Sequence, residues 1–423
     1  MRACGQFFQS LLQRFEGVSF RDVEVFENVP WIVPQRSDVN PADARLEARI
    51  TKKITVPIPL ISSPMDSVTE APLAIALARL GGVGVIHRNL SIEDAAREVA
   101  AVKHAIHGGI VWNPITLSPE DTMARAREKH SEYGSKFHTF PVVESDGKLA
   151  GLITGTEFNF CDADADWQQK VAKVMITSSL VDKYRPPLTT ASYKISRDEA
   201  YQKMKHFRIS TLPLVDEFYK LRGLAIFKDL REVRQGKRDA FALDLNGQLL
   251  VGAAIGVLDE GMARTEALVR NGVNFVVVDA SHGHARTVVE TVSMLRHGFS
   301  GLDIVAGNVS TAAASEDLIK AGASALRVGL SLGASCSTGL VSGVAPAQLS
   351  ALYECAEVAD SYGVPIWADG GIRFPKDLGL AIISGAHAIM VGSLFAGTEE
   401  APGGLFRDAE GQLVKGFRGR GRA

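Results

Sequence analysis

At 423 residues the chain exceeds one core of ordinary size, although a single α/β barrel can use about 250 residues by itself. Its 46% apolar and 22% charged residues exclude the disordered, collagenous and disulfide-stapled classes. Lys plus Arg (46) balance Asp plus Glu (48) to a net charge of −2, which leaves no footprint for bulk nucleic acid or a membrane surface but allows a local anion site. Four cysteines, Cys4, Cys161, Cys336 and Cys355, lack CxxC or metal-type spacing, so any that matters acts as a thiol in a reducing compartment, read as the cytosol. No apolar run approaches the ~18 residues of a membrane span.

Residues 1–16 place Phe7, Phe8, Leu11, Leu12 and Phe15 on one helical stripe. Without a continuous apolar core this is no secretory signal; it reads as a docking helix, with a transit peptide as the alternative. Short β-branched runs that end in small or polar residues follow at 56–66 (VPIPLISSPMD) and 82–87 (GVGVIH). They resume at 249–256, 274–283, 303–310, 323–333, 364–373 and 386–397, and segments of helical period separate them at 258–271, 311–321, 347–361 and 376–384. Continuous Val/Ile/Leu runs alternating with amphipathic helices predict a parallel sheet covered on its outer face. Eight of them predict an α/β fold, a (β/α)8 TIM barrel, whose chemistry sits on loops at the C-terminal strand ends.

The barrel pattern is interrupted between about 111 and 238 by an internal repeat. Pro141-Val142-Val143 lies ten residues before Gly151 and Pro213-Leu214-Val215 ten before Gly223, an offset of 72 that also carries Lys148-Leu149 onto Lys220-Leu221. Two tandem copies in one barrel loop predict a separately folded module. The expected order is an N-terminal extension (1–16), barrel (17–110), repeat 1 (111–173), repeat 2 (174–238) and barrel again (239–423).

Candidate chemistry gathers at the predicted strand ends. In 325–343 (ALRVGLSLGASCSTGLVSG), Gly329, Gly333 and Gly343 permit a loop whose backbone approaches a ligand closely. Cys336 sits at its apex before Ser337 and Thr338, as a nucleophile or as a small buried residue. The segments 368–373 (ADGGIR) and 391–397 (VGSLFAG) follow the seventh and eighth runs, where this fold holds phosphates on backbone N–H groups. Asp369 is the carboxylate for a sugar diol, although Asp-Gly-Gly is also a plain tight turn. Asp279 and Asn308 end the fourth and fifth runs, with Asp279 suited to a cofactor ribose. His282 and His284, two apart with no third ligand nearby, make a poor metal site.

SSPMDSVTE (62–70), GGVGVIHRNLSIE (81–93), VVVDASHGHA (276–285), GNVST (307–311), ADGGIR (368–373) and VGSLFAGTEEAPG (391–403) together resemble the inosine-5′-monophosphate (IMP) dehydrogenase family, from about residue 17 to the C-terminus. The repeat resembles the pair of cystathionine-β-synthase-type (CBS) modules which that family carries in the same loop. The resemblance implies oxidation of IMP to XMP with NAD, in guanine nucleotide synthesis. Cys336 would attack C2 of the purine and form a thioimidate, and Thr338 would assist proton transfer. Ser63 and Met65 would lie against the base, and Asp369, Gly370, Gly371, Gly392 and Ser393 would hold ribose and phosphate, with Ala334, Phe417, Gly419 and Gly421 nearby. NAD would meet Asp279, Ser281, Asn308, Gly329, Leu330 and Ser331. Potassium would rest on the carbonyls of Ser331, Gly333 and Cys336. Asp229 would bind the ribose of an adenine or guanine nucleotide in the second repeat, where the first repeat has Glu157. A homotetramer, or an octamer joined through the modules, is implied.

Three departures accompany the resemblance. Ser331, Leu332 and Ala334 interrupt the family's Gly-x-Gly-Ser, placing a serine where φ > 0 is expected and removing a hydroxyl. Phe417 stands in place of a Tyr that contacts phosphate, and the family's mobile flap falls beyond Ala423. Two other readings follow: GMP reductase, for which Glu354 in 349–359 is a small pointer, and a catalytically impaired paralogue that binds nucleotides.

Overall fold

The structure, a computed structural model, describes residues 23–26, 29–32, 40, 43–105, 108–112, 114–132, 139–179, 187–331, 333, 341–344, 346–407 and 411–417. It divides into two units. The first comprises Met1–Ala105, Ala240–Asp244 and Leu249–Ala423, and the second Ile106–Asp239 and Leu245–Gln248. No helix among the described residues is long and apolar enough to cross a membrane.

Unit 1 is built on eight parallel strands: β1 (Leu60–Ser62), β2 (Gly84–Ile86), β3 (Val251–Ile255), β4 (Phe275–Asp279), β5 (Asp303–Val309), β6 (Ala325–Val328), β7 (Ile366–Asp369) and β8 (Ala388–Val391). Each falls inside one of the runs read from the sequence. They pair in the order β1-β8-β7-β6-β5-β4-β3-β2. Ser62 N donates to Val83 O (3.1 Å) and Val83 N to Leu60 O (3.0 Å), which joins β1 to the β2 edge and closes the barrel. Around it lie α1 (Ala71–Arg79), α2 (Ile92–Ala105), α3 (Leu258–Arg270), α4 (Arg286–Gly298), α5 (Ala312–Ala321), α6 (Gln348–Ser361) and α7 (Pro375–Ile383), and the four-residue α8 (Ser393–Ala396) follows β8.

Local chemistry accounts for these elements. All five residues of β4 are buried, which is why it reads as an unbroken apolar run rather than an alternating one. Thr311 caps α5 by accepting from Ala314 N, and Pro375 opens α7 where its missing N–H costs nothing. Phe275 of β4 meets Trp367 of β7 edge to face at 5.7 Å, and Trp367 Nε1 donates to Ile50 O at 2.6 Å. Gly252 of β3 makes room for this pair, since a Cβ there would lie 2.2 Å from the Phe275 ring. A buried cation, Lys103 of α2, is matched by Asp244 (2.7 Å), Asn274 Oδ1 (2.9 Å) and Leu249 O (3.1 Å).

In unit 2 the offset of the sequence repeat is also an offset of structure. Phe140–Val143 pairs antiparallel with Leu149–Ile153, and Thr211–Val215 pairs with Leu221–Ile226. Pro141 faces Leu152 as Pro213 faces Leu224, and each ladder is bulged at the equivalent step. Leu149 N donates to Tyr219 O (3.0 Å) and Leu221 N to Gly147 O (3.1 Å), a reciprocal pair that relates the copies by a local two-fold. The strand Ile110–Val111 pairs with the second copy, whereas Ile176 bridges to Leu152 of the first, so each sheet is completed by residues from the segment leading into the other copy.

Candidate active site at the strand ends

Two clusters form where barrel strands end. The first joins the ends of β1 and β8. Ser63 N donates to Val391 O (2.9 Å), and Met65 N to Ser63 O (2.8 Å), which turns the chain sharply after the strand. Gly392 faces this turn, because a Cβ there would lie 3.3 Å from Ser63 Oγ and 3.4 Å from Met65 Sδ. Ser393 begins α8 beside it. Phe417 packs with Met65 and Phe395 on Val68, Leu73 and Ala396, an apolar role that a Phe fills in place of a Tyr. Ser63, Met65, Gly392, Ser393 and Phe417, widely spaced in sequence, thus gather in one neighbourhood.

The second cluster is charged. Arg327, in the middle of the wholly buried β6, donates from Nη1 to Asp279 Oδ1 (3.0 Å) and from Nε to Asp369 Oδ2 (2.8 Å). Asn308 Nδ2 lies 2.7 Å from both Gly329 O and Asp369 Oδ2, beyond the cis Gly307–Asn308 peptide. Gln348 Nε2 reaches Val328 O (3.2 Å) and Asp369 O (3.3 Å). Both side-chain bonds on Asp369 fall on Oδ2, which leaves Oδ1 without a partner among the described residues. Asp279 is only 6% exposed, and its second oxygen lies 4.0 Å from Arg88 Nε. Burial pushes its carboxyl above the usual range, against the pull of Arg327 and Arg88. A ligand ribose would therefore meet an Asp279 already paired with Arg327.

Arg327 is the residue that motif reading passed over. The signal is in the sequence: one Arg within an otherwise buried apolar run must find carboxylates, and Asp279 and Asp369 end two of the other runs. The barrel places Asp279 and Asp369 on either side of it because β4 and β7 flank β5 and β6.

Gly329 follows β6 with φ at 136°, and a Cβ there would sit 2.0 Å from the Asp369 carbonyl oxygen. Gly329→Ala is expected to cost about 3 kcal/mol through combined strain and overlap, read as a lowered urea midpoint. A change below 1 kcal/mol, on the order of an ordinary surface substitution, would refute the close approach. Gly370 and Gly371 turn the chain after β7, with φ at 87° and 79°. Ser331 takes φ 64°, so the serine adopts the left-handed backbone that its position calls for, and its Oγ donates to Val344 O (2.9 Å). Leu330 and Ser331 are half-buried, whereas Ser281 and Gly333 are exposed. Ala334, Cys336, Thr338, Gly419 and Gly421 lie outside the described residues.

His284 pairs with Asp317 (2.8 Å), and no group of three potential metal ligands occurs among the described residues. Glu354 is exposed on α6. Its neighbour Cys355 is fully buried, and burial pushes its thiol up to about 11. At pH 8 only about one thiol in a thousand would be ionised, so iodoacetamide should leave Cys355 unlabelled until the protein is unfolded. Labelling of the native protein at the rate of a free thiol would contradict that burial.

In unit 2, Asp229 is held by Arg238 Nη2 (2.6 Å), which also bonds Glu232 (2.7 Å). Glu157, at the equivalent position of the first copy, is buried and accepts from the backbone N and hydroxyl of Thr154 (both 2.7 Å), closing a helix cap.

The sequence pattern of the IMP dehydrogenase / GMP reductase domain matches residues 24–423. The inosine-5′-monophosphate dehydrogenase of Aquifex aeolicus is 41% identical over 406 residues, covering 96% of this chain and 78% of that one. That of Bacillus subtilis is 40% identical, covering 96% and 79%. Among solved structures, a variant of the Trypanosoma brucei GMP reductase in complex with guanosine 5′-monophosphate superposes with a TM-score of 0.79 at 33% identity, covering 94% of this chain and 80% of that one. With its closed barrel, its strand-end clusters and this degree of likeness along nearly its whole length, the chain belongs to the IMP dehydrogenase / GMP reductase family.

Proposed function

We propose that the protein oxidises IMP to XMP with NAD in guanine nucleotide synthesis. The observation that carries the reading is the Asp279–Arg327–Asp369–Asn308 network, which among the described residues leaves one oxygen of Asp369 without a partner, at the strand ends of a chain about 40% identical to IMP dehydrogenases. Asp369 Oδ1 accepts a hydrogen bond from a ribose hydroxyl, while Asn308 and Arg327 keep the other oxygen oriented. The backbone N–H groups of Gly370, Gly371, Gly392 and Ser393 face the phosphate, and Ser63 and Met65 lie against the base. The Cys336 thiolate adds to C2 of IMP, and water later displaces the sulfur to give XMP and return the thiol, with Thr338 moving a proton. Asn308, Gly329, Leu330 and Ser331 would hold NAD, which would supply the acceptor for the hydride that leaves C2. The NAD ribose is oriented by the Arg327-paired Asp279, with Ser281 at the exposed edge. The carbonyls of Ser331, Gly333 and Cys336 are neutral oxygen donors of the kind a potassium ion takes.

In unit 2, Asp229 receives the ribose of an adenine or guanine nucleotide once Arg238 yields it, as a CBS pair would, while Glu157 remains a cap. A cytosolic homotetramer, with octamers formed through the modules, completes the reading.

A second reading, reductive deamination of GMP, draws on the likeness to the Trypanosoma brucei GMP reductases. A third, an impaired paralogue, draws on Ser331 and Phe417. Rapid mixing of the protein with IMP, NAD and potassium separates them, with NADH followed optically and the quenched protein weighed. Sustained NADH formation is the expected result. A single burst with a purine adduct on Cys336 would mean that hydrolysis is lost. Absence of NADH, with oxidation of NADPH on addition of GMP, would replace dehydrogenase by reductase.

A further inference from the structure

Lys415 closes an antiparallel hairpin formed by Leu405–Arg407 and Leu413–Lys415. Its Nζ donates to three backbone carbonyls of one turn: Thr398 O (2.8 Å), Glu399 O (3.1 Å) and Ala401 O (2.6 Å). An ammonium has three protons, and each has its own acceptor. Among the described residues no carboxylate forms an ion pair with Lys415, and its partners there are backbone carbonyls. The carbonyls belong to the turn that follows α8 and its cap Gly397, where the chain is neither helix nor strand.

The far end of the same segment is Gly392–Ser393, against Ser63 Oγ and Met65. Two residues beyond Lys415, Phe417 packs on Ala396 of α8 together with Met65 and Phe395. The outgoing hairpin strand therefore fastens the 392–401 segment twice, by an apolar contact on α8 and by an ion in a carbonyl cage behind it.

We infer that Lys415 is a positioning residue for the nucleotide phosphate: its ammonium acts as a built-in monovalent cation that holds the 392–401 segment and, through it, the backbone of Gly392 and Ser393. This rests on the reading above that Gly392 and Ser393 receive the phosphate of IMP. Lys415 touches no substrate; it acts through the segment.

Lys415→Ala would empty a cage whose chemistry suits a small alkylammonium ion. Hydrogen bonds from a charged donor are typically worth enough that the dissociation constant for IMP should rise about tenfold, read by calorimetry. Methylammonium at tens of millimolar should restore most of that loss. Tetramethylammonium, which has the charge but no N–H, should not. Lys415→Met keeps the apolar stem and serves as a second variant if the alanine form does not fold; it should bind IMP weakly and resist rescue, because its side chain fills the opening. Hydrogen exchange of amides 392–401 supplies a readout that needs no nucleotide: faster in Lys415→Ala, slowed again by methylammonium. Unchanged IMP affinity in the variants, or no change in exchange, would overturn the inference. If the parent protein fails to bind IMP while exchange responds as described, the cage stands and the functional reading falls.

Discussion

Arg327→Met should destabilise unit 1 by about 3–5 kcal/mol at pH 8, because it leaves the buried Asp279 and the half-buried Asp369 without the cation that pairs them. For a unit of this size that lowers Tm by roughly 10 °C. The sign with pH follows from Asp279. Burial already raises its folded-state pKa above the unfolded value, so ionisation costs stability as pH rises through the folded pKa and costs nothing below the unfolded one. Removing Arg327 takes away a lowering influence on that pKa and widens the window. The gap between variant and parent should therefore be largest at pH 8 and narrow as the pH falls towards about 4. Adding Asp279→Asn should recover much of the loss at pH 8, since the pair is coupled. A loss under about 1 kcal/mol, or one independent of pH, would mean that Arg327 is a bystander. Nucleotide affinity should fall with stability in this variant, because Asp369 loses one of the two donors that orient it.

Cys336→Ala should abolish NADH formation while IMP still binds within about threefold of the parent. The asymmetry follows from what the thiol does in the proposed chemistry. Hydride can leave C2 only after a nucleophile has added there, and no other side chain on the 325–343 loop is as nucleophilic as a thiolate. Ground-state binding comes from the ribose, phosphate and base contacts, none of which passes through sulfur. Stopped-flow absorbance with calorimetric titration checks both halves. NADH formation at the parental rate would refute the assignment. Loss of both activity and IMP binding would make Cys336 a structural residue of the loop.

Several of these residues were visible in the sequence because their signals are local. A fully buried parallel strand must be apolar along its whole length, so β4 and β5 appear as runs of Val and Ile bounded by Gly and Asp. The 72-residue offset of Pro141 and Pro213 survives as matched, equally bulged ladders because each copy solves the same packing problem. Asp369-Gly370-Gly371 stands out since left-handed turns call for glycine.

What could not be read there are pairings between distant residues. Arg327 lies 48 positions from Asp279 and 42 from Asp369, and only the parallel order of β4 to β7 brings their side chains into one charged row. Ser331 at φ 64° resolves a local conflict between side chain and backbone through a bond to Val344, which no motif foretold. The carbonyl cage of Lys415 has no sequence signature, because every residue carries a carbonyl and only folding decides which three converge. The sequence by itself determined the strand runs, the tandem repeat and the residue types at the loop tips, since period, volume and φ preference act over a few residues. Tertiary structure alone decided which of those tips share a site, because a buried charge is satisfied by whatever the barrel closure places beside it.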